Sequence, residues 1–154
     1  MDIALSARLD RPRLLLAALA LLLALSSPAL AAGGKITAPD TYAKLQAGKI
    51  VLIDVRSPAE WRQTGIPEGA KTVSIHDPDG MAGFMRKVLT VMAGRKDRPV
   101  ALICARGVRS SRAYRYLRKN GFTEVFDVSE GFLGRMSAPG WVKRGLPVAR
   151  CASC

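Results

Sequence analysis

The stretch Cys104-Ala105-Arg106-Gly107-Val108-Arg109-Ser110-Ser111-Arg112 decides how this chain is read. Ahead of it, Pro99-Val100-Ala101-Leu102-Ile103 is a short apolar run with the make-up of a buried strand. Behind it, Ala113-Tyr114-Arg115-Tyr116-Leu117-Arg118-Lys119 reads as a helix ended by Asn120-Gly121. One cysteine therefore stands where a strand turns into a helix, with Gly107 to permit a tight loop. In open α/β sheets, ligands bind at the C-terminal ends of strands. A helix starting there offers free N–H groups and the positive end of its dipole to an anion. Arg106, Arg109 and Arg112 add positive charge, so the Cys104 thiol is expected to ionise below the roughly 8.5 of a free cysteine. A thiolate in an anion cradle is a site for covalent chemistry. The plainer alternative is a structural cysteine buried at a strand end.

Working outward, short apolar runs alternate with amphipathic ones. Thr37-Ala38-Pro39-Asp40 offers a helix start and Gly48 a stop. Lys49 to Val55 is nearly continuous apolar sequence, as expected of a strand covered on both faces. Ser57-Pro58-Ala59-Glu60 carries a cap, a first-turn proline and a glutamate in capping-box spacing. Gly65-Ile66-Pro67-Glu68-Gly69 reads as a turn and Thr72 to Ile75 as a second strand. Asp79 to Ala93 places Met81, Phe84, Met85, Val88, Leu89 and Met92 at helical spacing, which is a core stripe and not a methionine metal box. Thr123 to Val128 is a fourth strand, and Gly131 to Gly145 an end segment containing Trp141. Such alternation predicts the α/β class: a central parallel sheet flanked by helices on both faces. His76 falls in a strand-end loop without a catalytic partner in sight.

The first 31 residues stand apart. Arg8, Arg11 and Arg13 flank a Leu/Ala run from Leu14 to Leu25, and Ser26-Ser27-Pro28-Ala29-Leu30-Ala31 follows with a small-x-small pattern. That is the order of a secretory signal peptide, and the run is short for a spanning helix. The expected organisation is a signal peptide over 1–31, one domain over 32–148 and a tail over 149–154. Export, to the periplasm, is expected, with no stable membrane anchor once the leader is removed. The net charge of +12 is spread along the chain, with a concentration from Arg106 to Lys119. Export and the lack of aromatic–basic interleaving argue against nucleic acid and leave small anionic substrates.

The chain has three cysteines. Cys151 and Cys154 sit two residues apart in the tail and leave Cys104 as the odd thiol. Two thiols do not make a zinc site, and neither a metal nor a cofactor is implied. The tail pair has two readings. It forms a local disulfide, or it attacks a sulfur carried on Cys104 and resolves it by thiol–disulfide exchange.

Four stretches resemble one known family. Leu52-Ile53-Asp54-Val55-Arg56-Ser57-Pro58-Ala59-Glu60-Trp61 resembles the opening signature of rhodanese domains, and Gly65-Ile66-Pro67-Glu68-Gly69-Ala70 the turn after it. Cys104 to Ser110 is similar to their active-site loop. Gly131-Phe132, Gly140-Trp141 and Gly145-Leu146-Pro147-Val148 resemble their closing segment. The likeness runs from Ile36 to Val148. It implies a rhodanese-like fold in which Cys104 takes a sulfane sulfur from a small anionic donor such as thiosulfate. The persulfide then passes that sulfur to cyanide, a thiol or a protein acceptor. Arg106, Gly107, Val108, Arg109 and Ser110 would bind the donor and steady the thiolate; Asp54 and Arg56 would support the loop as a buried ion pair, and Trp61 would pack. The chain departs from the pattern in two places. Thr64-Gly65 stands where a histidine often precedes Ile-Pro, and Glu130-Gly131 replaces the familiar Gly-Gly.

Two other readings compete. Phosphatases and arsenate reductases of related fold use Cys, five residues, then Arg, whereas here Ser110 is the sixth residue after Cys104 and Arg109 falls one place early. A shorter loop suits a sulfur atom better than a phosphate. The other rival is a module that carries sulfur or binds a partner without turnover.

Overall fold

The computed structural model describes residues 33–151 and 154. The signal-peptide expectation lies outside the described residues. The elements run β1 (Gly33–Lys35), α1 (Ala38–Gln46), β2 (Val51–Asp54), α2 (Pro58–Thr64), β3 (Ile66–Pro67) and β4 (Lys71–Thr72). They continue α3 (Gly80–Val91), β5 (Val100–Ile103), α4 (Val108–Lys119), β6 (Val125–Asp127), α5 (Gly140–Lys143) and β7 (Val148–Ala149).

Five strands form a parallel sheet in the order β1-β6-β5-β2-β4. β5 lies at its centre, with Val100 opposite Val51 on one side and Val125 on the other. All four residues of β2 and of β5 are buried, because helices cover both faces of the sheet. Alternate side chains divide between two cores. Val51, Ile53, Val100, Leu102 and Cys104 pack with Phe84, Val88 and Met92 from the α3 side and Ala113 and Leu117 of α4. Leu52, Ala101 and Ile103 pack on the opposite face with Ala38 of α1, Phe132 and Trp141 of α5.

Local sequence sets several boundaries as expected. Thr37 caps α1, with its Oγ1 accepting the Asp40 N–H at 3.2 Å. Ser57 and Glu60 form the reciprocal capping box at the start of α2. α3 begins at Gly80 without a side-chain cap from Asp79, and Met92 follows its last residue.

Other boundaries differ from the sequence reading. α4 begins at Val108, not at Ala113. Gly107 is itself the helix boundary, in the left-handed conformation at φ 88°, and nothing between Val108 and Arg112 breaks a helix. β1 was not expected, since Gly33-Gly34 has no strand signal; a β-carbon on Gly33 would strike the Val125 carbonyl, so the close approach to β6 requires a glycine. The segment read as a turn contributes β3, which pairs antiparallel with β7, Ile66 opposite Ala149. Ala149 thus belongs to the folded domain. The second strand is short, Lys71–Thr72, and ends before the expected Val73-Ser74-Ile75.

Candidate active site

Strand β5 delivers Cys104 to the C-terminal edge of the sheet, and only three residues separate it from the start of α4. The Cys104 side chain is almost wholly enclosed, at 1% exposure. Its Sγ accepts the Gly107 N–H at 3.1 Å and lies 3.5 Å from Ser110 Oγ. Ser110, buried in the first turn of α4, donates its hydroxyl to the Gly107 carbonyl at 3.1 Å. The N–H groups of Val108, Arg109 and Ser110 open the helix, where no carbonyl of the preceding turn can accept from them.

The segment after β6 clamps the loop from the other side. Phe132 N–H donates to the Cys104 carbonyl at 2.8 Å and Leu133 N–H to the Ala105 carbonyl at 3.0 Å. Two glycines make this approach possible. A β-carbon on Gly107 would collide with the Ser129 carbonyl, and one on Gly131 would sit 2.5 Å from the Ala105 carbonyl oxygen.

The arginines divide in role. Arg109 is held by Glu60 through both carboxylate oxygens, Nη1–Oε2 2.7 Å and Nη2–Oε1 2.6 Å. This bond chiefly, with the capping contacts of Ser57 adding to it against partial burial, lowers the Glu60 carboxyl from 4.5 to about 2. The Arg109 guanidinium is raised in turn, by Glu60 first and more weakly by the nearby Cys104 sulfur. Arg109, expected among the donor-binding residues, has its fork engaged by Glu60, whose local sequence shows only a helix cap. Arg106 is exposed and makes no hydrogen bond or ion pair among the described residues.

Asp54 and Arg56 form a fully enclosed pair, Nη2–Oδ2 2.6 Å and Nε–Oδ2 2.9 Å. Arg56 also donates to Thr64 Oγ1 at 2.7 Å and to the Gly65 carbonyl at 2.6 Å, and its guanidinium lies 4.0 Å from the Phe132 ring centroid. Phe132 in turn holds the Cys104 carbonyl, so Arg56 braces the loop from behind and does not touch the sulfur. Trp61 is buried.

Two acids carry weight that the sequence reading missed. Glu130 accepts from Ala38 N–H at 2.6 Å, Gly140 N–H at 3.2 Å and Arg144 Nε at 2.8 Å, tying α1 and α5 to the clamp. Burial works against its charge, and these bonds outweigh burial and lower its carboxyl. Asp127, at the end of β6 and beside Ser110, is raised by burial. A charged residue in place of the first glycine of a Gly-Gly pair was the available signal for Glu130. The tail cysteines Cys151 and Cys154 are bonded to each other, with Cα atoms 5.5 Å apart, so Cys104 is the free thiol. His76 is exposed, and no cluster of metal-ligating side chains forms among the described residues.

Residues 37–137 match the rhodanese-like domain family. The chain belongs to that family. Among its relatives, the thiosulfate sulfurtransferase GlpE of Pseudomonas syringae is 32% identical over 95 residues, 61% of this chain and 79% of that protein. A sulfurtransferase of Allochromatium vinosum is 29% identical over 99 residues, 64% of this chain and 78% of that protein. The crystal structure of Rv0390 from M. tuberculosis superposes with a TM-score of 0.61 at 28% identity, covering 78% of this chain and 99% of that one.

Proposed function

We propose that this rhodanese-like domain is a sulfurtransferase that moves a sulfane sulfur from an anionic donor such as thiosulfate to a thiol or cyanide through a Cys104 persulfide. The observation that carries the reading is the contact of the Gly107 N–H with Cys104 Sγ at 3.1 Å, inside a loop that reaches a helix N-terminus in three residues. In the first step the Cys104 thiolate attacks the outer sulfur of thiosulfate. The Sγ–S bond forms, the sulfur–sulfur bond of the donor breaks, and sulfite leaves with the electron pair. Three negative charges meet before this step and three remain after it, so the loop must offset their repulsion throughout. Arg106, unpaired at the mouth, draws the donor; the Gly107 N–H and the opening amides of α4 hold the anionic outer sulfur of the persulfide. Arg109, fixed by Glu60, keeps a positive charge beside the sulfur without closing on the donor.

Phosphoryl transfer fits less well. The loop has three residues before its helix, and Arg109, beside the sulfur, is already engaged by a carboxylate. The leader-like sequence over 1–31 supports export to the periplasm, and the Cys151–Cys154 bond accords with an oxidising compartment.

Intact mass of the protein before and after thiosulfate, beside Cys104→Ser, tests the reading. A gain of one sulfur atom in the parent and none in the variant is the expected result. No gain in protein whose Cys104 is reduced would instead favour the module that binds a partner without turnover.

A further inference from the structure

We infer that the mouth of the Cys104 loop is a docking face for an acidic protein segment that presents the acceptor cysteine. This rests on the sulfurtransferase reading and names its acceptor.

The first observation is where apolar side chains are left in water. The strongly exposed large hydrophobic residues among those described are Val108, Leu133, Met136, Val142 and Val148. Val108 at 77%, Leu133 at 38% and Met136 at 108% belong to the two segments that form the mouth. Val108 opens α4, directly after the loop glycine. Leu133 donates its N–H to the Ala105 carbonyl, and Met136 lies in the turn closed by the Arg135 and Ala138 backbones. Val108 and Arg135 line one cavity of about 240 Å³ together with Lys35, Gly107, Asp127 and Ser129. Thiosulfate gains nothing from such side chains. Apolar groups gathered inside a polar rim are the make-up of a protein interface.

The second observation is the charge of that rim. Lys35, Arg106, Arg112 and Arg135 are exposed and make no ion pair among the described residues, and Arg115 donates only to Ser111. Arg112 lies one helical turn beyond Val108, on the same face. Of the neighbouring acids, Glu130 is engaged by Arg144, and the buried Asp127 on the cavity wall faces Lys35, Arg135 and Arg115 and offsets only part of their charge. An apolar centre ringed by unpaired cations is complementary to an acidic surface.

The chemistry also asks for such a partner. With Cys104 enclosed, the acceptor must bring its sulfur to the mouth. After losing its proton to solvent, the acceptor thiolate attacks the outer persulfide sulfur. A new S–S bond forms on the acceptor, the bond from that sulfur to Cys104 Sγ breaks, and the electron pair returns to the Cys104 thiolate. Docking holds the two sulfurs together for this step.

The test uses the full chain, loaded with thiosulfate, and two short peptides. Each has one cysteine beside leucine, flanked in one by glutamates and in the other by lysines; cyanide is the small acceptor. Transfer to the glutamate peptide should run about tenfold faster than to the lysine peptide at low salt, and the gap should close at high salt. Met136→Asp and Arg135→Glu should each slow the glutamate peptide severalfold and leave the cyanide rate, measured at saturation in high salt, unchanged. Equal rates for the two peptides, or variants without effect, would overturn the inference. Peptides with serine for cysteine, titrated while backbone amide shifts are followed, test the face without sulfur loading. Shifts at Val108, Leu133 and Met136 are expected, and shifts elsewhere or none would overturn it. Failure to turn over cyanide would sink the sulfurtransferase reading, while the serine peptides would still decide the docking face. A dimer that Met136→Asp splits into monomers would mean that a second copy covers the face, and would also overturn the inference.

Discussion

Glu60 and Arg109, 49 residues apart, are joined through both carboxylate oxygens and both terminal guanidinium nitrogens, at 2.6 and 2.7 Å. The same carboxylate caps α2 through the Ser57 N–H and hydroxyl, each at 2.9 Å. One side chain thus caps the start of α2 and fixes the first turn of α4, the helix that follows the Cys104 loop. The pair is partly exposed, so solvent screens it, and its contribution together with the cap is about 1 kcal/mol. Glu60→Gln should lose that amount at pH 7. The folded-state carboxyl is lowered from 4.5 to about 2, so its stabilisation is present above 4.5 and lost as pH falls from 4.5 toward 2. Urea unfolding of parent and variant should therefore differ at pH 7 and converge near pH 2; a constant difference across that window would show the ionised pair is not the source.

Gly107 is required twice over, by its φ of 88° and by the Ser129 carbonyl that a β-carbon would strike. Gly107→Ala should cost about 3 kcal/mol of stability. Alanine keeps the N–H that donates to Cys104 Sγ, but relieving the clash with the Ser129 carbonyl swings that amide off the sulfur, so sulfur loading from thiosulfate should slow by up to about a hundredfold, the cost of losing an anion-hole donor. Stopped-flow loading combined with denaturant unfolding separates the two effects. Normal loading in the folded variant would mean that the placement of this amide against the sulfur does not limit the step.

Much of this site was legible because its signals are local. Ser57-Pro58-Ala59-Glu60 specifies its own helix start, and an all-apolar Val100–Ile103 ahead of Cys104 specifies a buried central strand that ends at a cysteine. What escaped depends on partners distant in sequence. Gly33-Gly34 becomes a strand only because β6 offers an edge, and Ile66–Pro67 only because Val148–Ala149 returns to it. The start of α4 was set too late because three arginines and two serines resemble a loop by composition, whereas the backbone break is confined to Gly107. The second task of Glu60 is invisible locally, since nothing near it names Arg109.

Arg56 is enclosed with Asp54, and its remaining donors go to Thr64, Gly65 and the face of Phe132. Removing the cation alone leaves a buried carboxylate without its counter-charge. Arg56→Met should lose about 3–5 kcal/mol, and adding Asp54→Asn should recover part of that loss. Thermal and urea unfolding of both variants check it; a double variant no more stable than the single would mean the lost energy lies in the Thr64, Gly65 and Phe132 contacts.

Cys151 and Cys154 are bonded to each other beside β7, and Arg62 donates to the Cys154 carbonyl at 2.6 Å. With both sulfurs held in that bond, neither is a thiolate able to take sulfur from Cys104. The double variant Cys151→Ser, Cys154→Ser should load sulfur from thiosulfate like the parent and keep its persulfide for the same time without an acceptor. Intact mass followed over time measures this directly, and a longer persulfide lifetime in the variant would restore the resolving role for the tail.

Arg106 is the remaining test of how the donor arrives. It is exposed and its side chain makes no hydrogen bond or ion pair among the described residues, so unfolding curves should not move. A dianion approaching the loop would lose one favourable charge at the mouth. Arg106→Ala should therefore raise KM for thiosulfate by about tenfold at low ionic strength with little change in kcat, and the difference should shrink as salt screens the parent's advantage. If kcat falls and KM holds, Arg106 acts on the transferring sulfur and not on capture of the donor.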